Sequence, residues 1–598
     1  MQSKVLLIFL CFILTSCPSP KGTVVDTNRN IKNDDEQTQS TDTNTNNNSN
    51  QDTSSSNNNN QNNGGNSNSD DPPTFDDPLK SYAWHLENTG QETFSESGGT
   101  VGSDLNVKDV WEQNVLGSGV LIAVSDNAVE VSHEDLGGNA LLGSHRNYHL
   151  SSPYTGDPSP SSGQSAHGTA VTGIISASGN NSKGSLGIAP LSSFSAFRYI
   201  GSTSSVSKQV HQANGIQDIF NFSYGAYSCI FSPVSSTYIS QLKYGVESLR
   251  GGLGAIYVKA GGNEYLSTSE DCFPDEDEAD RTYYLGNATL EEDHSYPYVI
   301  VTAALNSNGT SAFYSNPGSA VWVSAPGGDY GTSSPAILTT DISGCSEGYS
   351  KSSATQNAFE KGGEPNANCN YTSVMNGTSS STPMVSGVVA LMLSANPSLT
   401  WRDVKYILAK TAKKVDASRS ALTNHPLGEN LSGHTYLESW TTNAAGFHFH
   451  NWYGFGGVDA LAAVNLAKSY SSSFGTFKEI EVNSGSVNID IPDNSSTGAK
   501  SYLNYNSSTT IEAVQITLDV EHSYIGDLGV ELISPSGTKS QLMLINSGAR
   551  GTNINNEVLL SNAFFGENAS GTWELKVIDG YANDVGKIKS WKLKVYGH

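Results

Sequence analysis

Three short stretches of the sequence carry side chains whose chemistry makes sense only in combination. The first is Gly119-Val-Leu-Ile-Ala-Val-Ser-Asp126, an apolar run that ends in an acid. Parallel strands present functional groups at their carboxyl ends, so Asp126 stands where an orienting carboxylate is useful. The second opens with His167-Gly168-Thr169 and continues through Ala170, Val171, Gly173 and Ile174. It reads as a histidine at the mouth of a helix whose small residues allow close packing. The third is Asn376-Gly-Thr-Ser379-Ser-Ser-Thr-Pro383, followed by the apolar stretch Met384–Leu393. Gly377 permits a tight backbone approach, and Pro383 is expected in the first turn of a helix, where its missing N–H costs little. Ser379 would then stand just before a helix N-terminus, whose dipole favours developing negative charge. A hydroxyl nucleophile, an imidazole base and a carboxylate that orients the base make up a set for acyl transfer.

The chain order Asp, His, Ser is the subtilisin order, and the three motifs together resemble a subtilisin-type serine protease. The likeness extends to the kexin/furin branch through Asp104-Leu-Asn-Val-Lys-Asp-Val-Trp111, His133-Glu-Asp-Leu136, Arg250-Gly-Gly-Leu-Gly254, Leu399-Thr-Trp-Arg-Asp-Val404 and Tyr453-Gly-Phe-Gly-Gly-Val-Asp-Ala460. It covers Asp77 to His598. The resemblance implies that Ser379 attacks the scissile carbonyl, that His167 carries its proton to the leaving amine, and that Asp126 orients the imidazole. It assigns Asn263, in Ala260-Gly-Gly-Asn263, to the oxyanion hole, and Ser223-Tyr224-Gly225 to the strand that pairs with an extended peptide. It also implies calcium, with Asp77, Asp135 and Asn181 as ligands of a structural site and Asp271 near a second ligand position. Basic P1 preference follows from aligning Cys272 with the family's pocket cysteine, which places Asp275 on the S1 acid. Three departures weaken a strict kexin-like specificity. Asn127 replaces an acid that helps read P2, Ser228 stands where the branch has another S1 acid, and Tyr224 replaces a Trp. The alternatives are a broad-specificity subtilase and a tethered binding or adhesin module on an inactive protease fold. Retention of the three catalytic residues and of Asn263 favours activity.

The elements that must position these residues are legible at low resolution. Residues 75–470 alternate short β-like runs with Ala/Gly-rich helical stretches, the pattern of an α/β domain with a parallel sheet and helices on both faces. Strands are expected at Val120–Val124, Ala255–Val258 and Tyr298–Ala303, and helices near Gly168, Pro383 and Trp401. Residues 471–476 read as a linker. Residues 471–598 then turn all-β, with alternation in Lys478–Val482, Ile511–Val520, Leu528–Ile533, Trp573–Val577 and Trp591–Val595. The stretches Val520-Glu-His-Ser-Tyr-Ile-Gly-Asp527-Leu528, Ser534-Pro-Ser-Gly-Thr538 and Gly571-Thr-Trp573 resemble the P (Homo B) domain, a jelly-roll-like sandwich. The acid of Gly526-Asp527-Leu528 reads as a turn cap.

The N-terminus bears on compartment. Lys4 and the apolar Val5–Leu14 form a signal-like segment over residues 1–16, too short to span a bilayer as a helix. Leu14-Thr15-Ser16-Cys17 resembles a bacterial lipobox, with Cys17 as the lipidated residue. The expectation is an outer-membrane lipoprotein facing either way, the alternative being a secreted protein. Residues 17–74, almost free of large apolar groups from 18 to 70, read as a disordered tether. The resemblance would place a folding prodomain there, and this composition cannot form one, so folding needs a separate helper or none. Of six Cys, four remain after Cys11 and Cys17, with Cys229–Cys272 and Cys345–Cys369 as the favoured pairing among three. No Cys/His metal spacing occurs, and His448-Phe-His450 reads as incidental. The 32 basic and 58 acidic residues leave a net charge of −26, which excludes nucleic-acid binding on a basic surface, while the resemblance implies extended polypeptides as substrates.

Overall fold

The computed structural model describes residues 73–226, 231–268, 283–426 and 430–598. Cys17, the expected Cys229–Cys272 bridge, Ser228, Asp271 and Asp275 lie outside the described residues. No helix among the described residues is long and apolar enough to cross a membrane.

Seven strands form one parallel sheet: β1 (Leu121–Asp126), β2 (Arg146–Asn147), β3 (Ser193–Arg198), β4 (Ile219–Phe222), β5 (Ile256–Ala260), β6 (Val299–Leu305) and β7 (Val321–Pro326). Their order is β2-β3-β1-β4-β5-β6-β7. The residues of β4, β5, β6 and β7 are all buried, as expected of a sheet covered on both faces. Winding reverses at β1, which pairs with β3 on one side and β4 on the other. A crevice opens at the carboxyl ends where the winding reverses, and Asp126 terminates the strand at that point.

Helix α1 (His167–Ser176) begins where the sequence predicts, and its small residues are needed. A Cβ on Gly173 would fall 2.2 Å from Thr340 Oγ1, and one on Gly168 would fall 2.3 Å from the Ala128 carbonyl. Helix α2 (Thr378–Ala395) is buried along almost its whole length, which explains its lack of a polar face. It begins five residues earlier than expected, with Pro383 inside it rather than in the first turn. Gly377, at φ +98°, turns the chain from the strand Tyr371–Met375 into the helix and accepts a hydrogen bond from Ser380 N at 2.9 Å. Pro383 removes only the bond that would have reached the Ser379 carbonyl, while the Thr382 hydroxyl caps the Thr378 carbonyl at 2.7 Å. Ser379 therefore lies in the first turn, not before it. Helix α3 (Trp401–Thr411) is started by a capping box between Thr400 and Asp403.

The C-terminal residues form two antiparallel sheets. Lys478–Asn483, Ile489–Ile491, Ile511–His522, Ile554–Ser561 and Gly586–Gly597 make the first. Ser495–Tyr505, Leu528–Ile533, Lys539–Met543 and Gly571–Asp579 make the second. Alternate side chains, among them Trp573, Leu575, Trp591 and Leu593, fill one core. The sandwich and the α/β part lie in one compact unit, residues 70–598. Arg402 on α3 grips Glu512 through two bonds of 2.8 and 2.5 Å, and Phe565 packs edge-on to Trp322 of β7. Asn443 Nδ2 donates to the carbonyls of Ala563 and Phe565, both at 2.9 Å.

Candidate active site

At the carboxyl ends of β1 and its neighbour β4, His167 pairs with Asp126 and Ser379 bonds to Ser223. His167 Nδ1 lies 2.8 Å from Asp126 Oδ1, which also accepts from Asn127 N at 2.8 Å. The carboxylate is fully buried, and its Oδ2 has no hydrogen-bond partner. A proton on Nδ1 satisfies the carboxylate and leaves Nε2 free to act as a base. Burial pulls the His167 pKa down, but the charge and hydrogen bond of Asp126 outweigh it, so the imidazole sits above its ordinary 6.5. The Ser379 hydroxyl donates to the Ser223 carbonyl at 3.0 Å. A hydroxyl has one proton, so this group must rotate before His167 can take it.

Asn263 follows β5, and its Oδ1 accepts from Thr378 N at 2.8 Å and Thr378 Oγ1 at 2.9 Å. Those two donors fix the amide so that Nδ2 remains to donate elsewhere. The backbone N–H of Ser379, in the first helical turn, has no intrahelical acceptor. Glu264 and Asn316 brace the loop: Asn263 N donates to Glu264 Oε2 at 3.0 Å, and Glu264 N donates to Asn316 Oδ1 at 3.0 Å. Ser223, Tyr224 and Gly225 leave the end of β4 beside this loop. Asn127 Oδ1 accepts from Ala128 N at 2.6 Å and Gly168 N at 3.1 Å, tying the Asp126 and His167 segments together.

Residues 117–456 match the Subtilase family model, and residues 511–595 match the Proprotein convertase P-domain model. The first match covers more than half of the chain. The chain belongs to the subtilase family. An Aeromonas sobria protein, "Aeromonas extracellular serine protease", is 33% identical over 584 residues, covering 87% of this chain and 91% of the relative. A "Calcium-dependent protease" of a Nostoc species is 29% identical over 541 residues, covering 86% of this chain and 70% of the relative. The crystal structure of the Aeromonas sobria serine protease in complex with the chaperone ORF2 superposes with a TM-score of 0.78 at 31% identity, covering 88% of this chain and 95% of that one. The subtilase is thus a serine-type endopeptidase with a C-terminal P domain.

The subtilase holds two further clusters of buried charge. In the first, Asn181 Nδ2 donates to Asp135 Oδ1 at 2.7 Å, and Asn180 N and Asn181 N donate to the two oxygens of Asp77 at 3.1 and 3.4 Å. Burial raises both acids, Asp135 to about 7, and Asp135 Oδ2 is buried without a partner. Two adjacent carboxylates with an orphaned oxygen and an amide within reach are an oxygen donor set suited to calcium. In the second, Lys259, Glu291, Asp293 and His294 meet behind Tyr224 and Gly225. Sequence reasoning missed this cluster. Its signal was the lysine inside an otherwise apolar strand, Ile256-Tyr-Val-Lys259-Ala260.

Cys345 and Cys369 are joined by a disulfide that closes the loop between Ile337–Thr340 and Tyr371–Met375. Nearby Glu347 accepts from Ser162 Oγ at 2.5 Å and Gly163 N at 2.7 Å, on the segment that leads to His167.

Proposed function

We propose that this chain is a calcium-stabilised serine endopeptidase that cleaves extended polypeptides after basic P1 residues, with Ser379 as nucleophile, His167 as general base and acid, and Asp126 as the orienting carboxylate. The observation that supports the catalytic reading is the His167–Asp126 pair at the end of β1, with Ser379, in the first turn of a buried helix, bonded to Ser223 at the end of the neighbouring β4. In the proposed cycle the peptide lies along Ser223–Gly225 and displaces the Ser379 hydroxyl from the Ser223 carbonyl. The hydroxyl turns to His167 Nε2, loses its proton and attacks the scissile carbonyl. Asn263 Nδ2 and the Ser379 N–H receive the developing oxyanion, and an Asn263→Ala variant is expected to lose about 10²–10³ in turnover. His167 then gives the proton to the leaving amine, and water repeats the sequence in reverse.

Asp77, Asp135 and Asn181 would hold the calcium ion, which supplies the positive charge that their buried oxygens need. The likeness to a calcium-dependent protease supports this assignment. Basic P1 preference rests on the kexin-like motifs. Export is supported by the extracellular relative, and the Cys17 lipobox adds an outer-membrane anchor to that reading. The complex of the Aeromonas sobria enzyme with a chaperone supports a dedicated folding helper here. Labelling by an active-site-directed arginyl phosphonate tests the assignment. We expect stoichiometric labelling of the chain and none of Ser379→Ala, and labelling that survives this substitution overturns the nucleophile.

A further inference from the structure

β4 carries an amide in a strand that is otherwise apolar, Ile219-Phe-Asn221-Phe222. Asn221 is fully buried, and its backbone stands opposite Val124 of β1 and Val258 of β5. A buried amide costs free energy unless its polar atoms are bonded, and both ends of this one are. Oδ1 accepts from the Ser386 hydroxyl at 2.9 Å, and Nδ2 donates to the Ser223 hydroxyl at 2.9 Å. Ser223 is two residues further on, so it lies on the same side of the chain as Asn221. Ser386 is fully buried and belongs to α2. That side of β4 therefore faces the helix on which Ser379 sits.

α2 meets the end of β4 through two of its hydroxyls. Ser386 bonds to Asn221, and Ser379 donates to the Ser223 carbonyl at 3.0 Å. Seven residues turn a helix by about 700°, about 20° short of two full turns, and raise it by about 10 Å. The two serines thus share one face. Pro383 stands between them and costs the helix only the bond to the Ser379 carbonyl, so both move as parts of one rod. A roll of α2 about its axis shifts both hydroxyls together, and the bond from Ser386 to Asn221 opposes that roll. An amide suits the place because it accepts from one hydroxyl while it donates to another. The helix is thereby tied to the residue whose carbonyl receives the Ser379 proton at rest.

We propose that Asn221 and Ser386 are positioning residues for the nucleophile: their bond locks the roll of α2 against the strand on which the peptide lies, and so fixes Ser379 relative to the scissile carbonyl. These roles rest on the reading of Ser379 as nucleophile given above. β4 keeps its own place through its ladders to β1 and β5. Loss of the bond therefore displaces the nucleophile and leaves the peptide where it binds. Misplacement of a reacting atom slows the chemical step, so the effect falls on kcat and not on KM.

The test uses the full chain well below its melting temperature, the fluorogenic peptide that the wild type cleaves best, and active sites counted by phosphonate titration carried to completion. Ser386→Ala and Asn221→Ala are each expected to lower kcat by about 10- to 100-fold, with KM little changed, and to slow phosphonate labelling by a similar factor. Both break the same bond, so the double variant should be no slower than the slower single variant. A role in stability alone predicts the wild-type kcat per titrated site in both variants. That result, or losses that multiply in the double variant, overturns the proposal. Should Asn221→Ala not fold, Ser386→Ala decides by itself, and an unchanged kcat or a change confined to KM overturns the positioning roles. A Ser379→Ala chain that still cleaves the peptide overturns the nucleophile reading and these roles with it. An inactive Ser379→Ala beside an unimpaired Ser386→Ala overturns the positioning roles alone.

Discussion

Asp135 and Glu291 are both buried acids beside a second acid, and their surroundings treat them in opposite ways. Among the described residues Asp135 has an amide and backbone N–H for partners but no ion pair, and burial pushes its pKa up to about 7, with Asp77 raised as well. Around Glu291 burial works in the same direction, but the charges of Lys259 and His294 outweigh it and hold the carboxyl below its ordinary range. One region carries its counter-charge on a side chain, and the other has no ion pair to its acids among the described residues. An ammonium on a flexible stem can neutralise only what its own strand passes. Asp77, Asp135 and Asn181 come from three segments up to 104 residues apart, and an ion that takes six to eight oxygens can tie such segments where one side chain could not.

The largest effect expected from perturbing a buried acid is at Asp126, whose counter-charge is the catalytic base itself. Asp126→Asn should lower kcat by about 10⁴. The pH profile should change with it. The base must be neutral, and His167 sits above 6.5 because of Asp126, so wild-type kcat/KM should fall on acidification with a midpoint above 6.5. In Asp126→Asn only the lowering effect of burial remains, and the midpoint should move below 6.5. A midpoint that stays put would show that Asp126 is not what holds the imidazole.

Next is the buried ammonium of Lys259. Lys259→Met leaves Glu291 and Asp293 buried without their partner and should cost about 3–5 kcal/mol in chemical denaturation. Adding Glu291→Gln should recover part of that loss, and a double variant as unstable as the single would mean that the charges do not interact. Removal of the proposed ion comes third. EGTA should lower the melting temperature by an amount corresponding to about 2.7 kcal/mol if calcium is at 100 times its Kd. Asp135→Asn should be less stable in calcium and insensitive to the chelator, and equal EGTA responses of variant and wild type would separate the ion from this cluster. The smallest effect is at the seam of the two folded parts, where Glu512 carries its counter-charge on Arg402 nearer to water. Arg402→Met should cost about 1–2 kcal/mol. A loss as large as that of Lys259→Met would mean that depth of burial is not what separates the two pairs.

The placement of Asp126, His167 and Ser379, the proposed catalytic residues, was legible because each sits in a short motif whose residues also build its element. Asp126 closes an apolar strand, His167 opens a helix of small residues, and Ser379 stands at the start of an apolar helix. The start of that helix was misplaced because Pro383 was read as a first-turn residue. The tight turn at Gly377 starts the helix at Thr378, and a proline in its second turn costs it only the bond to the Ser379 carbonyl. The alternation from Lys478 onward carried the sandwich, since a strand with one buried face writes its pattern at a period of two. The cluster around Lys259 left no such trace. The expected strand Ala255–Val258 stopped short of Lys259 because a lysine reads as an end, yet β5 runs on to Ala260 with that lysine buried.

Sequence by itself determined the family, the order of the folded parts, and the identity of the residues at the strand and helix ends. These follow from local rules: a side chain's period, a glycine's freedom, a helix's open N–H groups. Tertiary structure alone decided which buried charges meet. Lys259 and Glu291 are 32 residues apart and Tyr224 is 35 from Lys259, on segments that come together only when β4, β5 and β6 line up in the sheet. The energy of a charge pair depends on distance and on exclusion of water, and neither exists in a sequence until the chain has folded.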